Sequence, residues 1–281
     1  MLAITAALTL TSFVPVVAAA DPPGEGGTYV ALGSSYAAGP GLLPLIDTGC
    51  MRSSADYAHR VADRYRMELV DVTCSGATTS DILSESQRTT GGGRVPPQIR
   101  AVTADTRLVT VTVGGNDLGY IGDLTTLSCL HAIGAGKLCG TARENSPTAA
   151  DFDAVEHSLA EVVTAVRALA PNATVVLVDY LPVLDPDGAT CAAVPLSAAE
   201  AIAFERTYNG LVEATARAAA ATGAELARAG TDHAACSAQP WVSGFELPNP
   251  LTGKGIPYHP TDAGMAAVAD SVAAALETRA R

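Results

Sequence analysis

The chain has 281 residues, of which 48% are hydrophobic and 16% charged, a composition that predicts a folded core and excludes a largely disordered protein. Its formal net charge of −12 excludes nucleic acid and electrostatic binding to anionic lipid, and favours an uncharged substrate. The length fits one large α/β domain or two small ones.

Residues 1–20, MLAITAALTLTSFVPVVAAA, are apolar, contain no acidic residue and end in three alanines. This pattern predicts a signal peptide, followed by a flexible leader over 21–27 and one domain over 28–281. No Lys or Arg precedes the apolar run, so the start codon can lie upstream, and an uncleaved membrane anchor is the alternative. We expect a secreted protein, or one associated with the cell envelope, without stable membrane insertion.

Four β-type apolar runs follow the leader, at residues 29–32, 68–72, 108–113 and 174–180. Nearly continuous Val-rich runs are typical of strands buried on both faces, which belong to parallel sheets. Helical spacing of apolar residues appears between and after them, at 153–169, at 198–222 and in a last helix with Thr261 as its N-cap. The alternation predicts a single three-layer α/β/α sandwich around a central parallel sheet.

Two further stretches, residues 84–97 and 120–148, are too long for ordinary connections. We expect them to be irregular excursions over the carboxyl edge of the sheet, where loops line the ligand site in such folds. The sequence contains no internal repeat and no linker long enough to separate domains.

Six cysteines, an even number without a CxxC pair, indicate disulfides formed in an oxidising compartment. They are Cys50, Cys74, Cys129, Cys139, Cys191 and Cys236. About fifteen pairings are possible, and our hypothesis is pairing in sequence order, which makes the smallest non-overlapping loops. A metal site at Cys129 and His131, or at Asp232, His233 and Cys236, is the alternative. Neither group has a recognised ligand spacing, so we expect no metal.

Candidate catalytic residues lie where predicted strands end or where the last helix begins. Ser35 follows the first strand in ALGSSYAAG, and Gly76 follows the second in CSGATT. Asn116 follows the third in VGGND, and His259 precedes the last helix in YHPTDAG. A serine hydroxyl needs a base to remove its proton, and backbone N–H groups or an Asn amide can hold a developing oxyanion. Each stretch alone is also compatible with ordinary turn chemistry.

Together, these four stretches resemble the conserved blocks of the SGNH hydrolases, or GDSL-type esterases and lipases, in order and spacing. The six cysteines and the segment GCMRSSADYAHRVA are similar to the secreted actinobacterial branch, whose members form three consecutive disulfides. The resemblance implies a flavodoxin-like SGNH hydrolase fold without a cofactor. It implies that Ser35 is the nucleophile and His259 the general base. The implied oxyanion donors are the N–H groups of Ser35 and Gly76 and the side chain of Asn116.

The sequence departs from the family pattern at two positions. Ser34 stands where members usually carry the Asp of Gly-Asp-Ser, and Ile256 stands where they commonly carry the Asp that orients the histidine. We expect the Ile256 backbone carbonyl to accept the His259 Nδ1–H, giving a Ser-His dyad. A distant carboxylate such as Asp232 is the alternative. Asp117 is interpreted as a structural hydrogen-bonding residue.

The sequence therefore predicts a secreted serine ester hydrolase that cleaves lipid or small acyl esters through an acyl-enzyme intermediate. A carbohydrate O-acetyl esterase and a non-catalytic secreted binding protein with the same fold are the alternatives. Aromatic residues are only 5% of the chain, which favours acyl esters over glycans. The expected partner is a small-molecule or lipid ester, and the expected state is a monomer. The acyl chain length is left open.

Overall fold

Alternating Val-rich and amphipathic segments form a parallel sheet between helices in the computed structural model, which describes residues 26–134, 136–143, 146–246 and 256–279. The signal peptide predicted for residues 1–20 lies outside the described residues.

The helices and strands have the following bounds in chain order: β1 Thr28–Gly33, α1 Ser35–Ala38, β2 Leu45–Asp47, β3 Arg52–Ser53, α2 Tyr57–Tyr65, β4 Glu68–Asp71, α3 Thr79–Leu83, β5 Gln87–Arg88, β6 Arg94–Val95, a 3₁₀ helix Gln98–Ala101, β7 Thr106–Thr112, α4 Tyr120–Ile133, α5 Gly136–Cys139, α6 Ala149–Leu169, β8 Thr174–Val178, α7 Ala198–Thr222, β9 Glu225–Ala227 and α8 Asp262–Arg279.

Five parallel strands form the central sheet in the order β4-β1-β7-β8-β9. In order of appearance the strands run 2-1-3-4-5, the order of flavodoxin-like folds. In register, Val30 of β1 pairs with Val70 on one side and Val109 on the other. The strand order reverses beside β1, and the loops leaving β1 and β7 separate there to leave a crevice at the carboxyl edge.

Capping residues determine where the long helices begin. α7 covers Ala198–Thr222, as predicted, and a capping box between Ser197 and Glu200 precedes it. Before α8 the Thr261 hydroxyl accepts a hydrogen bond from Gly264 N–H at 3.1 Å, so its predicted N-cap role is confirmed. α2 and α8 pack together on one face of the sheet, and α3, α6 and α7 pack together on the other. The predicted three-layer sandwich is confirmed.

Three features differ from the sequence-based predictions. The irregular excursion predicted for 120–148 is wrong over its first half, which forms α4; its apolar residues lie on every side, so no amphipathic stripe marks the helix. Within 84–97 the chain forms the small β5–β6 hairpin. The fifth strand, β9, is not among the predicted strands because three residues carry no readable periodicity.

Three disulfides link the cysteines in sequence order, Cys50–Cys74, Cys129–Cys139 and Cys191–Cys236. This is the pairing that the sequence analysis predicts. The cysteines of both alternative metal groups, Cys129 and Cys236, are therefore bonded to other cysteines. Among the residues that the structure describes, no helix has the length and apolar character needed to cross a membrane.

Candidate active site

The parallel sheet brings the candidate residues to one edge. Ser35 follows β1, Gly76 follows β4, and Asn116 follows β7, and these three strands are neighbours. His259 comes from the segment before α8 and reaches the same place. One cleft of about 330 Å³ is lined by all four residues, so the structure brings the predicted site residues together.

Ser35 begins the four-residue helix α1 and is buried, with 9% of its surface exposed. The turn that presents it is tied to its surroundings at the two preceding residues. Gln98 makes two hydrogen bonds to the backbone of Gly33, at 2.8 and 3.0 Å, and Ser34 N–H donates to the Thr112 carbonyl at 2.9 Å. Gly33 is required here because a Cβ would lie 2.7 Å from that carbonyl oxygen. The turn is therefore held rigidly against β7.

The side chain of Asn116 is oriented by the neighbouring loop. Its Nδ2 donates to the Ala77 carbonyl at 2.8 Å, which uses one of the two amide protons and leaves the second for a ligand. Asp117 accepts hydrogen bonds from the backbone and hydroxyl of Thr79, at 2.5 to 3.2 Å. These bonds hold the loop after β7 against α3, the structural role predicted for Asp117.

A tyrosine hydroxyl connects the nucleophile turn to the Asn116 loop. Tyr180 OH lies 2.9 Å from Ser34 Oγ and accepts the Gly115 N–H at 3.2 Å. A Cβ at position 115 would lie 2.7 Å from the Tyr180 ring, so glycine is needed for this approach. Burial raises the pKa of Tyr180 to about 12, so its hydroxyl stays neutral. Its ring packs 4.4 Å from that of Tyr36, which follows the nucleophile.

The prediction that the Ile256 carbonyl orients His259 is wrong by one residue. His259 Nδ1 lies 2.7 Å from the Pro257 carbonyl oxygen, while the Ile256 carbonyl accepts from the Ser243 hydroxyl at 3.1 Å. The physical reason is Tyr258, whose φ of +61° turns the chain sharply between Pro257 and the imidazole.

Two hydrogen bonds hold Tyr258 in its left-handed conformation. Its hydroxyl lies 2.6 Å from Ser128 Oγ, and its carbonyl accepts from Tyr36 OH at 2.7 Å. The alternative acceptor for the imidazole, Asp232, is exposed and bonds to Thr231 at 3.4 Å. A main-chain carbonyl therefore fixes the tautomer, with Nδ1 protonated and Nε2 left as the acceptor.

Desolvation lowers the pKa of His259 from its ordinary value of 6.5 to about 4, against the hydrogen bond to Pro257, which raises it. The imidazole is consequently neutral at neutral pH, which is the form that can accept a proton. No carboxylate hydrogen-bonds to it within the described residues, so an imidazolium formed here is stabilised by a neutral acceptor alone.

A second hollow of about 300 Å³ also has His259 in its wall. Pro40, Ile256 and His259 line both hollows. His259 is therefore accessible from two adjoining hollows.

One group of potential metal ligands occurs in the part of the chain that the structure describes. Atoms of Asp56, His59 and Asp71 lie within 4.8 Å of one another. Asp56 Oδ1 already accepts hydrogen bonds from the backbone N–H of His59 at 2.8 Å and lies 2.9 Å from its Nδ1. None of the three lines either hollow beside His259, so the group is separate from the candidate catalytic cleft.

The chain is similar to known proteins in sequence and in fold. The model of the GDSL-like lipase/acylhydrolase family matches residues 31–267. The chain belongs to this family. Lipase 2 of Streptomyces coelicolor is 34% identical over 251 residues, covering 84% of this chain and 81% of the relative.

Two solved structures extend the likeness to the fold. Phospholipase A1 from Streptomyces albidoflavus has a TM-score of 0.66 at 27% identity, covering 90% of this chain and 99% of that one. The extracellular lipase of Streptomyces rimosus also has a TM-score of 0.66, at 28% identity, covering 89% and 99%. Family membership and these relatives make the chain a carboxylic ester hydrolase.

Within this GDSL-like site, three contributing residues have no signal in the sequence. Gln98 and Tyr180 reach the nucleophile turn from 65 and 146 residues away. Ser243 accepts the His259 N–H at 3.2 Å, and its own N–H donates to the His259 carbonyl at 2.9 Å. Only Ser34 gives an indirect indication that a residue such as Tyr180 is present. A GDSL-like turn without its Asp needs another polar partner, and in the structure that partner is Tyr180.

Proposed function

We propose that this GDSL-like hydrolase cleaves its esters with a Ser35–His259 dyad through an acyl-enzyme intermediate. The observation that carries the proposal is the shared cleft, in which Ser35, Gly76, Asn116 and a neutral, tautomer-fixed His259 line one space. Aliphatic and lipid acyl esters are the proposed substrates. The proposal is supported by the walls of the cleft, where Met51, Ile121 and Ile256 offer apolar surface to an acyl chain.

In the acylation step, Ser35 Oγ attacks the ester carbonyl while His259 Nε2 takes the hydroxyl proton. The tetrahedral oxyanion is held by the N–H groups of Ser35 and Gly76 and by the free amide proton of Asn116. The imidazolium then returns the proton to the alcohol oxygen as the C–O bond breaks. Water attacks the acyl-serine by the same route, with His259 as the base, and releases the acid.

The test is labelling with a fluorophosphonate probe, followed by hydrolysis of p-nitrophenyl esters, in the wild type, Ser35→Ala and His259→Ala. We expect Ser35→Ala to lose labelling and turnover, and His259→Ala to lose about three or more orders of magnitude in kcat. Asn116→Ala should keep labelling but lose about two orders of magnitude, the usual effect of removing one oxyanion donor. Normal turnover in Ser35→Ala would refute the dyad.

We also propose that the chain is exported, with residues 1–20 acting as a signal peptide and the hydrolase domain beginning near residue 28. The three disulfides support this location, because such bonds persist in oxidising compartments. N-terminal sequencing of protein recovered from culture medium should begin at Asp21. Full-length protein confined to the cells would contradict export.

A further inference from the structure

Residues 40–46, PGLLPLI, carry no charged side chain and no hydrogen-bonding side chain. Large hydrophobic side chains elsewhere are mostly buried, yet Leu43 is 75% exposed, Ile46 53% and Leu45 37%. Among the described residues, only seven large hydrophobic side chains are exposed, and these three lie within four consecutive positions. We call Leu43, Leu45 and Ile46 the hairpin patch, because they lie in or just before the first strand of the β2–β3 hairpin.

The backbone beneath the hairpin patch is braced. The Pro44 carbonyl accepts hydrogen bonds from Ser54 N–H at 3.1 Å and from the Ser53 hydroxyl at 3.2 Å, and Leu45 pairs with Ser53 across β2 and β3. Cys50, in the turn between β2 and β3, is bonded to Cys74. The apolar side chains are therefore displayed on a fixed support, which lowers the entropy cost of docking them on a surface.

The hairpin patch is continuous with the catalytic cleft. Pro40 lines both hollows beside His259, and Gly41 and Leu42 line one of them. Leu43 follows directly. The segment that joins the exposed patch to the hollows beside His259, residues 40–42, is thus apolar and forms part of their walls.

We propose that the hairpin patch docks on the surface of lipid aggregates with neutral or zwitterionic headgroups, so that lipid esters enter the cleft without passing through water. This inference rests on the proposed function and deepens it by naming aggregated lipid as the substrate form. The net charge of the chain favours a neutral or zwitterionic surface as the binding partner. A net charge of −12 repels anionic membranes and a second copy of the chain. Affinity then comes from removing apolar side chains from water and is insensitive to salt.

The first test measures partition of protein onto phosphatidylcholine vesicles, with Ser35→Ala in every variant so that the vesicles stay intact. Leu43→Ser combined with Ile46→Ser should reduce the partition coefficient about tenfold or more. The matched control is Leu138→Ser combined with Ile202→Ser, because these side chains are 79% and 43% exposed and lie outside the patch. The control should partition like the parent, and added salt should change neither result.

A second test compares aggregated and dissolved substrate in proteins with Ser35 intact. Leu43→Ser with Ile46→Ser should lose about tenfold in rate on phosphatidylcholine vesicles and keep its kcat/KM for p-nitrophenyl acetate. The two single variants should each show part of the loss. Thermal melting checks that all variants are folded.

Equal partition of the patch and control variants would overturn the proposal. Binding to anionic vesicles alone would also overturn it, as would a parent dimer in sedimentation that the patch variant dissociates. Failure of the proposed function has a different signature: wild type that is neither labelled by fluorophosphonate nor active on p-nitrophenyl acetate. Partition in the Ser35→Ala background does not depend on turnover.

Discussion

At the scale of single residues, the replacement of the family Asp by Ser34 is explained by Tyr180. A serine hydroxyl is too short and too weak an acceptor to hold the neighbouring loop alone. The Tyr180 hydroxyl fills the gap, since it lies 2.9 Å from Ser34 Oγ and accepts the Gly115 N–H beside Asn116. We interpret Tyr180 as a positioning residue that keeps the oxyanion donor in register with the nucleophile.

Tyr180→Phe tests this role. Removing the hydroxyl leaves the Gly115 N–H without its acceptor, so Asn116 should move away from the oxyanion position. We expect kcat to fall about tenfold with KM for a soluble ester unchanged, because the oxyanion exists only in the transition state. Stability should fall by about 1–3 kcal/mol.

The matched control for this substitution is Tyr29→Phe. Tyr29 is also fully buried, and its hydroxyl lies 2.7 Å from a threonine hydroxyl, Thr110 Oγ1, but it sits in β1, before the catalytic turn. The control should lose comparable stability and keep its kcat. An equal kcat in Tyr180→Phe and wild type, measured well below the melting temperature, would show that the Tyr180 hydroxyl is merely structural.

The lowered pKa of His259 predicts an unusual pH profile. The free enzyme is active when the imidazole is neutral, so the acid limb of kcat/KM should have its midpoint near the folded-state pKa of about 4 rather than at the ordinary 6.5. Stability should change over the same interval. As pH falls from 6.5 towards 4, the unfolded chain binds a proton at His259 that the folded chain excludes, so unfolding becomes easier. An acid limb at or above 6.5, in protein shown to be folded, would contradict the burial argument.

At the scale of helices and strands, the long amphipathic helices and the Val-rich strands are readable from the sequence because their periodicity is a direct consequence of burial. α7 has the predicted bounds, and α8 follows the predicted N-cap Thr261 and buries Met265, Val268 and Leu276 on one side. α4 lacks a readable stripe because apolar residues such as the exposed Ile133 also lie outside its buried side. The contacts of Gln98 and Tyr180 depend on how distant segments meet, and no local pattern encodes such a meeting.

A carboxyl pair lies where the N-terminus of α2 meets the C-terminal end of β4. Asp56 is fully buried at the N-terminus of α2, and burial, together with the charge of Asp56, raises the pKa of Asp71, at the end of β4, to about 7. One oxygen of each carboxyl, Oδ2, has no hydrogen-bond partner outside the pair. Asp71 therefore binds a proton in the folded chain at pH values where the unfolded chain has released it.

Asp71→Asn should stabilise the protein at high pH. Because the folded-state pKa of Asp71 is raised, its stabilising protonation is complete below the unfolded value and is lost as pH rises through 7. The Asn amide keeps a donor for Asp56 at every pH. We expect the melting temperature of the variant to exceed that of wild type by about 3 °C at pH 8, and the difference to vanish near pH 4.

His59 makes a second pH-dependent contribution to stability, which cancels when the variant is compared with wild type. Its hydrogen bond to Asp56 raises its own pKa, and that stabilisation also fades as pH rises. The variant retains Asp56, so the His59 contribution largely remains in both proteins and cancels in the difference. A variant less stable than wild type at pH 8 would show that the Asp71 carboxylate does not destabilise the folded chain, and therefore that its pKa is not raised.

At the scale of the whole molecule, the sheet supplies the carboxyl edge, and the disulfides hold the loops and helices around it. Cys50–Cys74 ties the hairpin to the loop carrying Gly76. Cys129 follows Ser128, which bonds to Tyr258, and Cys191–Cys236 anchors the segment leading to Ser243. Each disulfide therefore restrains a segment that positions a catalytic residue, while the buried strands of the sheet contain none.

Reduction should consequently abolish catalysis before it melts the sheet. The loops closed by the three disulfides span sequence separations of 24, 10 and 45 residues. Chain-entropy reasoning assigns each bond about 3–4 kcal/mol of stability, which arises from restricting the unfolded chain. With dithiothreitol at 25 °C, we expect loss of most kcat/KM while far-UV circular dichroism still shows the helices and sheet. Oxidised protein incubated without reductant, with no free thiol detected, is the control. Full activity in protein with six titratable thiols would mean that packing alone keeps Ser35 and His259 in place.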